Sequence, residues 1–486
     1  MKIISFLLLG LLTSLLFPPY FLTPMGFIIF PLLSFIFSNI NKYSNINIFS
    51  YGFFFGLGFF GNLLIWIINP FFVFEETSSY FFISFLLIIF LSLILGIIFL
   101  ITIAIFNKKI SFFYIIPIIF ILTELIISRL LYGFPWLTFT LTISNIDILL
   151  VLTKFFGTFF TSCIIIFLFN IPYLLFESKS KQVIKNLYVL FSLPTLLFII
   201  LIFNYQKTNE YKFLTTQIFQ INKSIFNSEN QEQKTYNKIQ KSIISSDADV
   251  IIFAENNYPG LVSSEINNNF KKNIKNNQTL IIGGTKFKNN RYYNSLVKIN
   301  TTKTEYFDKI YLVPFGEFLP LRDLLKFFQI IVGPVDYTKG EKDRLIIINN
   351  KISFIPVICY EIIFYWDLVN SLNFDSDLII NITNDVWFGK YIGPYQHFYL
   401  SKIRAAEFNK PLVRVSNNGI SAFINNKGKI LDYIPLNKTN NLKYKLKIRN
   451  AQSFYKVHRY LNYSVLGIIF TMFIYFYFKR NDQQKI

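Results

Sequence analysis

The chain has 486 residues, of which 53% are hydrophobic, 19% aromatic and only 15% charged, and its formal net charge is +20. Such a composition excludes an ordinary water-soluble globular protein and points to a membrane protein. The positive charge does not point to nucleic acid: Lys and Asn are abundant alongside Ile and Phe along the whole chain, as in a residue-usage bias, and no basic cluster interleaved with stacking aromatics stands out.

Apolar runs long enough to cross a bilayer lie at about 3–17, 24–38, 50–68, 81–106, 112–131, 155–176, 186–204 and 461–478. The first two are short and flank Pro18-Pro19, so they fit a hairpin folded back in the membrane. Met1-Lys2 before an apolar run resembles a signal peptide, but no small-residue cleavage site precedes the next apolar stretch, and the run is read as a membrane helix. Lys2, Lys42, Lys108-Lys109, the Lys179/Lys181/Lys185 cluster and Lys479-Arg480 follow alternate crossings, which places them together on the cytoplasmic side. The opposite side then receives the Pro18-Pro19 turn, the Glu75-Glu76 loop, Phe134-Pro135-Trp136 and the whole polar stretch 205–460. Within the fifth run, Glu124 and Arg129 are costly in lipid, and helix packing or snorkelling accounts for them. Trp136 reads either as an interfacial anchor or as the lining of a lipid path to the outer domain.

After Tyr205 the pattern changes to short β-like runs at 213–219, 249–254, 279–284, 294–299, 352–359, 377–381, 412–416 and 420–424. Helical stretches are expected at 229–245, 260–273, 360–372 and 396–409, and their alternation with the strands implies helices layered on sheets.

Two cysteines and two histidines bound the chemistry. Cys163 lies in an apolar run and Cys359 in the polar half, so no disulfide framework is expected. His397 and His458 are too few for a zinc site, no G-x-S-x-G elbow nominates a serine, and neither metal nor cofactor is anticipated. IPVICYEII ends an apolar strand in Cys359, which is how a strand delivers a nucleophile to a sheet edge. DVIIFAENNYPG puts Glu255 directly after another apolar strand, where partial burial would suit a general base. FDKIYLVPFGEFLP sets Lys309 and Glu317 around the rigid Pro314-Phe315-Gly316, a lysine for an oxyanion and a carboxylate to orient it. Singly these residues also read as a solvated loop glutamate, a surface ion pair and an inert buried thiol.

Taken together, a Glu after one strand, a Lys in K-x-x-x-V-P-F-G-E and a Cys in I-C-Y-E, in that order, resemble the Glu-Lys-Cys triad of the nitrilase superfamily. The strings LVPFGEFLP, ICYEI, NDVWFG, GPYQH, SNNGISA and GFPWL, with helices before and after the domain, resemble its membrane branch, the apolipoprotein N-acyltransferase family. The resemblance implies a multi-pass helical bundle of about eight helices carrying an inserted nitrilase-like αββα sandwich. It divides the chain into a bundle at 1–204, an extracytoplasmic catalytic domain at 205–458, and a last helix with a cytoplasmic tail at 459–486. It gives Glu255 the role of general base, Lys309 that of triad lysine and Cys359 that of nucleophile. Glu317, Tyr360, Glu361 and Asn294 fall at supporting positions. A phospholipid acyl donor, diacylglyceryl-modified apolipoproteins and the bilayer are the implied partners, with a bacterial inner-membrane location and a periplasmic catalytic domain. The segment TQIFQINKSIFNSENQEQK departs from the family, lacking its tryptophan in an N-I-P-Q-like stretch; Phe226 is the candidate substitute. A membrane-tethered amidase that gives its thioester to water is the alternative within enzymes. A transporter is disfavoured by the near absence of polar groups at mid-membrane.

Overall fold

The computed structural model describes the chain except residues 1, 39–42, 107–109, 131, 177–187, 189–191, 193–194, 204–209, 225–228, 330–332, 334, 342–343, 349–351, 372–375, 450–452 and 484–486. Lys42, Lys108-Lys109, Lys179, Lys181, Lys185, Phe226 and part of the seventh apolar run therefore lie outside the described residues. The chain divides into two compact units, one of 1–68, 80–206 and 454–486, the other of 69–79 and 207–453. Residues 69–79, which hold the Glu75-Glu76 loop, thus belong to the same unit as the polar stretch.

The first unit is helical: α1 (Lys2–Ser14), α2 (Gly26–Ser38), α3 (Asn45–Leu63), α4 (Ile83–Phe106), α5 (Phe112–Arg129) and α6 (Val151–Asn170). Among the described residues, four helical stretches, at Asn45–Leu63, Glu75–Phe106, Phe112–Arg129 and Val151–Phe176, are long and apolar enough to span a bilayer; α1 and α2 are apolar but shorter. Side chains satisfy the polar groups these helices carry, as lipid cannot. Ser44 and Ser111 cap α3 and α5 by accepting from Asn47 and Phe113 N–H. Asn170 donates to the Phe113 carbonyl and accepts from Ser34, and Asn62 donates to Ser14. Glycine lets α1 and α3 touch: a Cβ on Gly58 would sit 2.0 Å from the Leu7 carbonyl oxygen, and one on Gly10 would sit 1.9 Å from that of Phe55. Glu124 is fully buried and accepts from the Phe139 N–H at 3.0 Å, so its charge-bearing group serves packing, while Arg129 at the helix end is exposed. Trp136 is buried against Trp66 at a 4.5 Å ring separation, which removes it as an exposed interfacial anchor.

The second unit stacks two six-stranded sheets. The first runs β12-β1-β2-β3-β4-β5, from β1 (Tyr211–Gln220), β2 (Val250–Phe253), β3 (Thr279–Lys288), β4 (Arg291–Ile299), β5 (Thr304–Asp308) and β12 (Asn440–Arg449). The second runs β11-β10-β9-β8-β7-β6, from β6 (Ile346–Ile348), β7 (Ile352–Ile358), β8 (Leu378–Thr383), β9 (Leu412–Ser416), β10 (Ser421–Ile424) and β11 (Ile430–Ile434). Parallel pairs β1/β2/β3 and β7/β8/β9 form the centre of each sheet, and buried runs such as VIIF and FIPVI are what strands covered on both faces require. Helices α7 (Glu229–Ser245) and α8 (Ser264–Asn273) cover the first sheet, burying Ile239, Ile243 and Phe270 against Phe253, Leu280 and Val297. Helices α9 (Tyr365–Ser371) and α10 (Ile392–Glu407) lie on the second sheet's side, giving the αββα order the sequence implied; α11 (Tyr455–Gln483) follows in the first unit.

Four strands went unread in the sequence: β5, β6, β11 and β12. The stretch expected as a helix from 360 is a 3-10 turn at Cys359–Ile363 followed by α9, and α8 begins at Ser264, not at 260.

Candidate active site

Three strand ends of the two facing sheets deliver the triad. Glu255 follows β2, Lys309 follows β5, and Cys359 follows β7; all three side chains are buried. Lys309 Nζ is 3.6 Å from Glu255 Oε1 and 2.9 Å from Glu317 Oε1. The Cys359 thiol lies near enough to both Glu255 and Lys309 for their charges to act on it. The residues anticipated as a triad therefore meet at one point, and Glu317, Asn294, Tyr360 and Glu361 surround it.

Asn294 explains how two carboxylates coexist there. Its Nδ2 donates to Glu255 Oε1 and to Glu317 Oε1, both at 2.7 Å, so one amide group joins the two acids on the side facing the ammonium. Glu255 Oε2 accepts in addition from the Asn384 backbone N–H at 2.8 Å. Behind Glu255, β3 leaves no room for movement: a Cβ on Gly283 would fall 2.5 Å from the Glu255 Cα. Glu317 is fixed by its own loop, where Oε2 accepts from the Val313 N–H at 2.9 Å and Phe315 takes a left-handed φ of 58°.

Charge states follow from this packing. Burial pushes the Glu255 carboxyl above its ordinary value, against the opposing pull of Lys309. Burial would lower Lys309, but the flanking Glu317 and Glu255 carboxylates outweigh it and hold the ammonium charged. The Cys359 thiol is raised by burial and next by Glu255, so it rests protonated beside a carboxylate. Tyr360 is raised by burial and packs edge-on against Phe364, which makes it a wall of the site and not an acid at neutral pH.

Glu361 does something different from its neighbours. It forms a fully buried two-point ion pair with Arg344, Oε1 to Nη2 at 2.7 Å and Oε2 to Nη1 at 3.0 Å. The same carboxylate accepts from the N–H groups of Ile310 and Tyr311 and from that of Ile358. Those groups adjoin Lys309 on one side and Cys359 on the other, so Glu361 ties the lysine loop to the nucleophile turn. Arg344 was not anticipated, because nothing in KDRL marks its partner seventeen residues on.

His397 was noted only within GPYQH and as one of two histidines too few for a zinc site. Its Nε2 lies 3.3 Å from the Cys359 carbonyl oxygen, and its Nδ1 lies 2.9 Å from Asp385 Oδ1 and 3.1 Å from Arg414. Asp385 is held further by Arg414 at 2.7 Å and Thr383 at 2.9 Å. The ring thus braces a nucleophile whose φ of 50° is a left-handed conformation that a non-glycine residue rarely adopts. Replacing His397 by alanine is expected to slow capture of an acyl label on Cys359 by about 10–100-fold, the cost of misplacing a reacting atom by about 1 Å. Glutamine, whose amide nitrogen reaches the Nε2 position, is expected to retain more of the rate. The turn Asp385–Phe388 is itself backed by the 69–79 loop, where Asn69 donates to the Phe388 carbonyl at 3.3 Å. Among the described residues no group of three or more His, Cys, Asp or Glu side chains could hold a metal ion.

A buried carboxylate, a fixed cation and a thiol together suit attack on an acyl carbonyl followed by transfer of the acyl group. Comparison with known proteins gives the same class. Residues 9–171 match the apolipoprotein N-acyltransferase N-terminal domain and residues 218–453 the carbon-nitrogen hydrolase domain. A protein of Haemophilus influenzae described as apolipoprotein N-acyltransferase is 30% identical over 74% of this chain and 73% of its own. One of Wigglesworthia glossinidia brevipalpis with the same description is 34% identical over 77% of this chain and 78% of its own. A solved carbon-nitrogen hydrolase superfamily protein of Xanthomonas campestris aligns over 48% of this chain and 91% of its own, at 15% identity and a TM-score of 0.38. The chain belongs to the apolipoprotein N-acyltransferase family, membrane acyltransferases with a carbon-nitrogen hydrolase domain.

Proposed function

We propose that this protein moves a fatty acyl chain from a membrane phospholipid to the α-amino group of the N-terminal S-diacylglyceryl cysteine of lipoproteins, through a thioester on Cys359. The observation that carries the reading is the meeting of Glu255, Lys309 and Cys359 in one buried site of a chain rich in membrane-competent helices. Glu255 takes the thiol proton as sulfur attacks the ester carbonyl; Lys309 and a backbone N–H beside Cys359 hold the oxyanion. The carbon–oxygen bond breaks, the lysophospholipid leaves with the proton from Glu255, and the thioester remains. The acceptor amine then attacks, Glu255 receives its proton, and collapse expels the Cys359 thiolate, which recovers that proton as the amide forms.

In this reading the catalytic domain at 205–458 faces the periplasm of a bacterial inner membrane. The lysine pattern supports that orientation, and so does the packing of the Glu75-Glu76 loop, expected on the outer side, within the catalytic unit. The test is a labelled phospholipid supplied to purified protein in the presence and absence of a diacylglyceryl peptide. Label is expected to accumulate on the protein alone and to move to the peptide when it is added. Cys359→Ala is expected to capture none, and Cys359→Ser little, because a serine needs a stronger base. Label retained by the alanine variant would overturn the assignment, and free fatty acid without acylated peptide would convert the transferase into a hydrolase.

A further inference from the structure

Along the sequence no basic cluster interleaved with aromatics stands out, yet the fold assembles one. β12 pairs antiparallel with β1, setting Arg449 opposite Tyr211, Lys447 opposite Phe213, Lys445 opposite Thr215 and Lys443 opposite Gln217. Directly paired residues share a face, so all eight side chains project from the same side of the sheet. Tyr211 is 43% exposed and Phe213 56%, and Lys443, Lys445 and Lys447 are exposed beside them. Lys447 Nζ sits 3.9 Å from the Tyr211 ring centroid and Lys445 Nζ 5.3 Å from that of Phe213. Lys443 is paired with Asp247, whereas among the described residues no carboxylate forms an ion pair with Lys445 or Lys447. Farther along the face an open groove is lined by three more exposed lysines of α7, Lys234, Lys238 and Lys241.

Lysines on an edge strand discourage pairing with other chains, but that role needs no exposed rings. Aromatic and cationic side chains side by side are what the headgroup layer of a bilayer selects. Chain connectivity points the same way. Tyr211 lies eight residues after Phe203 of the seventh apolar run, which is helical there, and Arg449 lies six residues before α11 begins at Tyr455. We infer that the face formed by Tyr211, Phe213, Lys445, Lys447 and Arg449 is a docking surface for anionic phospholipid headgroups. It lies outside the Glu255–Lys309–Cys359 cluster and does not depend on the acyl-transfer reading.

The test places a photoreactive benzophenone residue at Phe213 in the full-length protein, reconstituted in vesicles of phosphatidylcholine with or without phosphatidylglycerol. Irradiation is expected to yield lipid adducts on the peptide containing position 213, enriched in phosphatidylglycerol over its share of the vesicle. Enrichment is expected to fall about fivefold for each of Lys445→Glu and Lys447→Glu, and to weaken at high salt. The same photoreactive residue at exposed Tyr433 on β11 is expected to give no enrichment. The surface variants are expected to capture acyl label on Cys359 like the parent in detergent, which shows that they fold. No lipid adduct at 213, equal enrichment at 433, or cross-linking to a second protein copy would each overturn the inference.

Discussion

Glu255→Gln is expected to lower the rate of acyl-enzyme formation by about 10²–10⁴-fold, the range for removing a positioned general base. Glutamine preserves the shape of the side chain, and its one carbonyl oxygen can still accept from either the Asn294 amide or the Asn384 N–H, so the fold is expected to survive. What it removes, in the proposed mechanism, is the group that takes the thiol proton. The sign of the pH dependence follows from the direction of the Glu255 shift. Burial raises its value in the folded protein, so below that value the acid is protonated and cannot act as base. The rate of label capture by the parent is therefore expected to rise with pH through a region above the ordinary glutamate range and then to level off. The glutamine variant is expected to lose that rise. A variant that keeps the parent's pH profile at reduced rate would assign the titration to another group and refute the base role.

Lys309→Met is the companion case, and Asn294 makes its outcome differ from a plain loss of charge. With the ammonium gone, Glu255 and Glu317 remain joined through the Asn294 amide but without a counter-charge, so Glu255 is pushed further toward its neutral form. Oxyanion stabilisation and the fraction of Glu255 that is ionised and able to act as base fall together.

The parallel strands β2, β3, β7, β8 and β9 were legible because parallel strands buried on both faces read as unbroken apolar runs, and the residue after such a run is at a sheet edge. That is how Glu255 and Cys359 could be placed before any fold was known. β12 was not legible: NNLKYKLKIR alternates lysine with apolar residues at an edge, and polar alternation without a strong apolar run resembles a loop. Arg344, Asp385 and Arg414 were illegible for another reason. Each acts through a partner distant along the chain, and a single sequence does not indicate which buried charges will meet. The packing of 69–79 with the catalytic unit belongs to the same class, since a loop between two apolar runs gives no sign of what it rests on.

Glu361→Gln and Arg344→Met are each expected to destabilise the catalytic domain by about 3–5 kcal/mol, the usual cost of breaking one side of a buried ion pair. Both partners have no exposed side-chain surface, so solvent screening does not reduce the effect. For an ordinary buried pair, replacing both partners with apolar residues recovers much of the loss. Here Arg344→Met with Glu361→Leu is not expected to do so. The N–H groups of Ile310, Tyr311 and Ile358 would lose their acceptor, and each unsatisfied group costs about 1–3 kcal/mol. Arg344 and those hydrogen bonds hold Glu361 below the ordinary glutamate range, although burial works against them. A depressed value means stability that is fully present above the ordinary glutamate pKa and is lost as pH falls through the folded value, so parent and variants should converge only in strong acid. Chemical unfolding in detergent reads the first effect. Acyl capture by the folded fraction at low temperature reads the second, because the clamp sets Lys309 against Cys359. Folded Glu361→Gln protein that captures label at the parent rate would show that the clamp holds the domain together without aligning its chemistry.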